Sequence, residues 1–316
     1  MPLLWRSVFA AITTPFREDF SVDRDALDAH VRWLIAKGCD GIVPLGSLGE
    51  ASTLSPNEKK AVLDVCVAAS KPAGVPVVAG IAGFSTTEAI ALAHSAESCG
   101  CDGLMVLPPY VYRGDQFETE SFFDAVIEAT HLPCMLYNNP IAYGTDVLPA
   151  RVAALANRHD NLAAVKESSG DIRRVTEIRR LLGDRLAVFC GVDDVIVEAV
   201  RAGAVGWIAG LVNALPAESV HLFELASMGA SANSQATREL YEWFLPLLRL
   251  DTVPKFVQLI KLVSAAAGRG STRVRPPRLE LEGHELHAYD ALIRETLKRT
   301  PVLTNLAATG RASSAT

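Results

Sequence analysis

The chain has 316 residues, is 49% hydrophobic and has positive mean hydropathy, so it can build one extensive core and is not a disordered protein. A net charge of -6, a pI near 5.7 and the lack of any Lys/Arg cluster interleaved with aromatics leave no surface for a phosphate backbone; no nucleic-acid partner is expected. No apolar run reaches the ~18–20 residues of a membrane span, the first ten residues lack the pattern of a leader, and the six cysteines avoid C-x-x-C spacing, so the expectation is a cytoplasmic protein with reduced thiols and no membrane partner.

In chain order, residues 8–12 read as a short buried strand closed by Thr13-Thr14-Pro15, and 23–37 carry apolar residues at helical spacing. Residues 41–45 form the second strand. The helix over 56–70 follows, opened by Ser55 as N-cap, Pro56 at the first position and Glu58 three residues after the cap. Strands over 75–79, 103–107 and 134–137 precede helices that start near Thr86, span 116–130 and span 148–156. Strands over 162–165, 186–190 and 205–209 precede helices over 172–182, 195–202 and 217–228. Short strands that are apolar on both faces, each followed by a helix, require parallel pairing with helical crossovers. Eight such units predict a (β/α)8 TIM barrel over residues 1–228. An open doubly wound sheet is the other architecture with this alternation, but no G-x-G-x-x-G follows any strand. Beyond Met228 the pattern is all-helical, over 231–250, 253–267 and 285–298, with Arg275-Pro276-Pro277-Arg278 as an extended connector. This predicts a C-terminal helical extension over 229–306 and a disordered tail over 307–316.

A TIM barrel places its chemistry at the C-terminal ends of its strands. Among the residues there, Lys166 ends the apolar run Ala163-Ala164-Val165 and is followed by Glu167-Ser168-Ser169-Gly170. An ordinary lysine, pKa ~10.4, is protonated at neutral pH; burial at a strand end disfavours the charge and makes the amine a nucleophile. Tyr137 ends the neighbouring strand and would share the pocket, placing a phenol where protons move near an imine. The loop Gly46-Ser47-Leu48-Gly49 offers backbone N–H groups and a hydroxyl to a carboxylate. Together these suit a 2-oxo acid, its carbonyl to Lys166 and its carboxylate to the loop. The seven histidines are scattered and none ends a strand, so no metal and no metal-dependent aldolase are expected. Asp193 and Asp194 point apart as neighbours, Asp194 reading as a helix cap, while Glu50 and Glu167 read as partners of backbone donors or cations.

Gly46-Ser47-Leu48-Gly49-Glu50, Tyr137-Asn138-Asn139-Pro140, Val165-Lys166-Glu167-Ser168-Ser169 and Gly203-Ala204-Val205-Gly206-Trp207-Ile208 stand in the order and spacing of the dihydrodipicolinate synthase / N-acetylneuraminate lyase family, which the chain resembles from about Val8 to Arg278. The resemblance implies that Lys166 forms the Schiff base, Tyr137 shuttles protons and Ser47 helps hold the carboxylate. It also implies a tetramer made of dimers, with no metal or organic cofactor. The chain departs from the synthases at Leu48, where they carry a proton-relaying threonine, at Val111, where the strand-four loop would supply a tyrosine, and at Ala142, where they carry an arginine for the aldehyde substrate's carboxylate. Leu48, the Tyr137 to Gly144 run and Trp207 are instead similar to 1-pyrroline-4-hydroxy-2-carboxylate deaminases. Under that resemblance Gly46, Ser47, Leu48, Asn139 and Trp207 are expected to bind the substrate, a small 2-oxo acid or pyrroline carboxylate. The alternatives are 4-hydroxy-tetrahydrodipicolinate synthase or another pyruvate-dependent aldolase or dehydratase, and a 2-oxo-acid-binding regulatory protein.

Overall fold

A computed structural model describes residues 5–229 and 234–303; the expected tail over 307–316 and the start of the helix expected from 231 lie outside these. The strands are β1 (Ser7–Ala11), β2 (Gly41–Val43), β3 (Val78–Ile81), β4 (Gly103–Val106), β5 (Cys134–Asn138), β6 (Leu162–Glu167), β7 (Ala187–Cys190) and β8 (Gly206–Ala209). They pair in parallel in the order β2-β1-β8-β7-β6-β5-β4-β3. A bridge between Ile42 and Val77 draws the two ends of that sheet together, aided by Gly80 N–H donating to Pro44 O at 2.9 Å. The fold is therefore the (β/α)8 TIM barrel that the alternation requires.

Helices α1 (Arg24–Ala36), α2 (Pro56–Ser70), α3 (Thr86–Ser98) and α4 (Gln116–Glu128) follow the first four strands. After β5 the chain makes a one-turn helix, α5 (Pro140–Tyr143), which the periodicity does not reveal, and then α6 (Pro149–Arg158). Helices α7 (Ile172–Leu182), α8 (Ile196–Arg201) and α9 (Pro216–Ala226) complete the ring, and α10 (Gln235–Leu248), α11 (Phe256–Ala266) and α12 (Gly283–Leu297) form the extension. The capping box read at α2 is present, with Ser55 and Glu58 each accepting from the other's backbone. Among the described residues no helix is long and apolar enough to cross a membrane.

The third strand starts at Val78, three residues later than the apolar run, because Pro76 has no N–H for a ladder; it continues through Gly80. A Cβ on Gly80 would lie 2.5 Å from Leu45 O, so only glycine lets β3 approach the end of β2 there. At the N-terminal end of the barrel, the Phe9 and Phe189 rings meet edge to face at 5.2 Å and Trp5 stacks on Phe9. Gly41 and Gly206 clear the space these rings fill. These rings fill that part of the barrel interior, and the strand ends that carry Tyr137 and Lys166 form the opposite, C-terminal mouth.

The extension is tied to that mouth. Lys261 on α11 is 4% exposed; its Nζ donates to Glu50 Oε1 at 2.6 Å, to Thr14 O at 2.9 Å and to Arg273 O at 2.7 Å. Glu50, wholly buried after β2, also accepts from Arg275 N at 3.0 Å. Arg275 in turn pairs with Glu58 at 2.8 Å, so the connector after α11 straps the loops that follow β1 and β2. Glu50 is thus the structural partner the sequence suggests.

Candidate active site

Lys166 is the fifth residue of β6 and lies in register with Tyr137 on β5 and Phe189 on β7. It is 6% exposed, and its Nζ lies 4.0 Å from the centre of the Tyr137 ring. Among the described residues it makes no hydrogen bond and no ion pair, so burial holds its pKa below the ordinary lysine range, against the opposing pull of Tyr143, Asp251 and Asp193. A neutral amine with a free lone pair is the state that attacks a carbonyl. Room for that attack comes from Gly191 just past β7, where a Cβ would lie 2.5 Å from Lys166 Cε.

Tyr137 is 5% exposed, with its hydroxyl accepting from Asn139 Nδ2 at 3.1 Å. Asn139 also N-caps α5 through Ala142 N, so the cap that starts this one-turn helix orients the phenol as well. The helix carries Tyr143 back into the pocket, its ring edge-on to Tyr137 at 5.7 Å and its hydroxyl hydrogen-bonded to Ser47 Oγ. Burial pushes both phenols above the ordinary tyrosine range, so both keep their protons. Tyr143 belongs to the site, and its role was not legible: only the cap and turn at Asn139-Pro140 signal that the chain doubles back.

Ser47 thus meets Tyr137 through Tyr143. Its loop holds Leu45 and Glu50 at positive φ, 62° and 54°, a strained curl between β2 and α2. The backbone N–H groups of Ser47, Leu48 and Gly49 have no acceptor among the described residues, which fits a loop waiting for a carboxylate. Gly46 is buried beside the Met105 methyl, and Leu48 is 4% exposed in the continuous core, so Leu48 can give the pocket only an apolar wall and backbone.

Trp207 stands elsewhere. It is 0% exposed on β8, and its indole N–H donates to Asp193 Oδ1 at 2.8 Å. This corrects the expectation of a substrate contact: alternation along β8 turns Trp207 toward the helices and Gly206 toward the barrel centre. Asp193 also accepts from Gly210 N at 3.2 Å and Leu211 N at 2.8 Å, and burial raises its carboxyl to about 6. Asp194 does not cap α8, whose N-cap position is Val195, with no side-chain acceptor. Glu167 accepts from Ser169 N and Asn138 Nδ2, a structural partner as read.

A buried lysine between a phenol and a donor-rich loop at a barrel mouth has parallels. The family model described as "Dihydrodipicolinate synthetase family" matches residues 4–296. The chain belongs to the dihydrodipicolinate synthetase family. Membership makes it a class I lyase or aldolase by type. It is 35% identical over 292 residues to 4-hydroxy-tetrahydrodipicolinate synthase of Rhizobium meliloti (strain 1021), covering 92% of this chain and 98% of that protein. It is also 35% identical over 270 residues to the enzyme of that name from Methanothrix thermoacetophila, covering 84% and 89%. Among solved structures it resembles YagE, a prophage protein of the same family from E. coli K12 in complex with pyruvate, at 28% identity and a TM-score of 0.86, over 93% of this chain and 99% of that one.

Against this family background two further residues stand at the mouth that the sequence did not single out. The Arg113 guanidinium, from the loop after β4, packs on Gly144 at the end of α5, two residues from Ala142. Asp251, from the turn between α10 and α11, lies over Gly210 just past β8. The signal for the second was the glycine itself, at an inward position where a Cβ would meet a carboxylate.

Proposed function

We propose that Lys166 forms an imine with a 2-oxo acid and that Tyr137 moves the proton between the imine and the adjacent carbon. The observation that carries this reading is the buried Lys166 amine, 4.0 Å from the Tyr137 ring and without an acceptor among the described residues. The 2-oxo carbon takes the amine's lone pair, the carbonyl oxygen leaves as water, and the cationic imine then draws electrons from C3 as its proton departs. The unsatisfied N–H groups of Ser47 to Gly49 and the Ser47–Tyr143 pair support a carboxylate site beside it.

Of the finer reactions, condensation to 4-hydroxy-tetrahydrodipicolinate is supported by the names of the relatives. Removing pyruvate's three carbons from that seven-carbon product leaves a four-carbon amino acid aldehyde, aspartate semialdehyde. Arg113 at the rim supplies a cation for its carboxylate. A second reading, 1-pyrroline-4-hydroxy-2-carboxylate deaminase, is favoured by Leu48 and Ala142. There Lys166 opens the ring at its imine carbon, the C3 proton and C4 hydroxyl leave as water, the new C3=C4 bond tautomerises to give a C5 imine, and hydrolysis of that imine and of the Lys166 imine releases ammonia and 2,5-dioxopentanoate. The exposed side chains of Val111, Tyr112, Phe117 and Ile141 beside the mouth support assembly into a homo-oligomer, and the free cysteines a reducing cytoplasm.

Three incubations of the pure protein test this: pyruvate with borohydride, pyruvate with aspartate semialdehyde, and the pyrroline alone. A Lys166 adduct in the first with multiple turnover in the second is expected. Ammonia from the third with no turnover in the second transfers the assignment to the deaminase, and an adduct with no turnover in any leaves a binding protein.

A further inference from the structure

The inner row of the barrel mouth carries glycine at two successive strand ends, Gly191 after β7 and Gly210 after β8, and each vacated place is taken by a polar side chain from elsewhere. At Gly191 the intruders are Lys166 and Ser168: the Ser168 hydroxyl is 2% exposed, turns toward the space over Gly191 and, among the described residues, has no close hydrogen-bond partner, the Tyr137 phenol being its polar neighbour. At Gly210 the intruder is Asp251, whose Cγ would lie 2.5 Å from a Cβ there. Asp251 comes from the helical extension rather than the barrel, anchored by the buried Leu250 beside it. It differs from its neighbour Asp193, which is fully used by Trp207, Gly210 and Leu211. The Asp251 carboxyl makes no hydrogen bond among the described residues, although its field reaches both Lys166 and Tyr137. A buried hydroxyl with no close partner and a half-buried carboxyl with no protein donor, both near the candidate imine-forming amine, are groups that a ligand can engage.

We infer that Ser168 and Asp251 form a second subsite on the β7–β8 side of Lys166, where Asp251 hydrogen-bonds the oxygen on the substrate carbon two positions from the imine carbon. The inference rests on the imine chemistry proposed above, and it holds for either finer reaction, because that oxygen needs a proton in both. In condensation the enamine carbon bonds to the aldehyde carbon, the carbonyl π pair moves to oxygen, and oxygen takes the Asp251 proton to become a hydroxyl. In elimination the C3–H pair becomes the C3=C4 bond, the C4–O bond breaks with its pair on oxygen, and the same proton lets it leave as water. The C3 proton goes to the Tyr137, Tyr143 and Ser47 hydroxyls and on to solvent. Asp251, partly exposed, takes a proton back from solvent. Burial and the nearby Asp193 raise its carboxyl well above the usual carboxylate range, which favours the protonated form that can donate.

The test is competitive trapping by borohydride, read by mass spectrometry as the ratio of adducts from 4-hydroxy-2-oxopentanoate and 2-oxopentanoate, which differ only in that oxygen. The unaltered protein is expected to favour the hydroxylated acid by about 10-fold or more, a preference that Asp251→Asn reduces several-fold and Asp251→Ala removes, with Ser168→Ala between. Thermal unfolding verifies that each variant is folded. A ratio unchanged in Asp251→Ala overturns the subsite, as does a loss of both adducts in proportion, which would mean that Asp251 acts on Lys166 alone. No adduct from either acid in the unaltered protein would instead sink the imine reading itself, so the two failures are distinct.

Discussion

The protein contains two buried lysines, and they live opposite lives. Lys261 and Lys166 are 4% and 6% exposed, and each lies over an aromatic ring, Phe16 at 4.7 Å and Tyr137 at 4.0 Å. Burial lowers the pKa of both. Lys261, however, spends all three donors on Glu50 and two carbonyls, whereas among the described residues Lys166 spends none. A buried ammonium persists only with partners that replace water, and one deprived of them gives up its proton. Hydrogen-bond satisfaction, more than depth, therefore separates the clamp from the proposed nucleophile.

The widest gap between the two comes from removing them. Lys166→Ala is expected to abolish the borohydride adduct and lower turnover by about 10⁴-fold or more. An adduct that survives on another lysine would break the comparison at once. Tyr137→Phe gives Lys166 the kind of ring that Lys261 has, and steady-state kinetics should fall by roughly 10²–10⁴-fold while the fold is kept. Lys261→Met leaves buried Glu50 with only the more distant Arg278, at 3.7 Å, as a cation and should cost about 3 kcal/mol in urea unfolding, with the Lys166 adduct still formed by the folded fraction.

The pH profile sharpens the contrast further. In the proposed reaction Lys166 attacks only after losing its proton, so kcat/KM should rise with pH through an acid limb that lies below the ~10.4 of an ordinary lysine. A limb at or above that value would place the amine in water. The smallest effect belongs to the strap around Lys261. The Arg275 guanidinium beside Glu58 holds that carboxyl down at about 2. Its folded pKa is depressed, so its stabilisation is present above the ordinary carboxylate value and is lost as pH falls from there toward 2. Glu58→Gln should remove about 1 kcal/mol or less at pH 7 and flatten stability over that window.

Much of this organisation was written locally. Strand and helix periods, the Ser55 cap and the chain order of Gly46 to Gly49, Tyr137 and Lys166 are short-range patterns. Each is fixed by pleat, helical repeat and turn chemistry within a few residues. From them follow the barrel, the end at which chemistry occurs and a lysine at a strand end beside a phenol on the next strand. Trp207 shows the limit: its strand was read correctly, but which face it takes depends on Asp193 and Gly210, so a residue expected to touch substrate became a support for the loop.

Tertiary structure alone decided the rest. Nothing within a few residues of Lys166 or Lys261 says that one would lack acceptors and the other find three, since Glu50, Thr14 and Arg273 arrive from distant loops. Nor does local sequence bring Asp251 over Gly210, or turn Tyr143 back to Ser47. Periodicity specifies which side chains are buried, because burial follows from backbone geometry. What a buried polar group meets is a property of closure, when segments far apart in the chain fill one another's gaps.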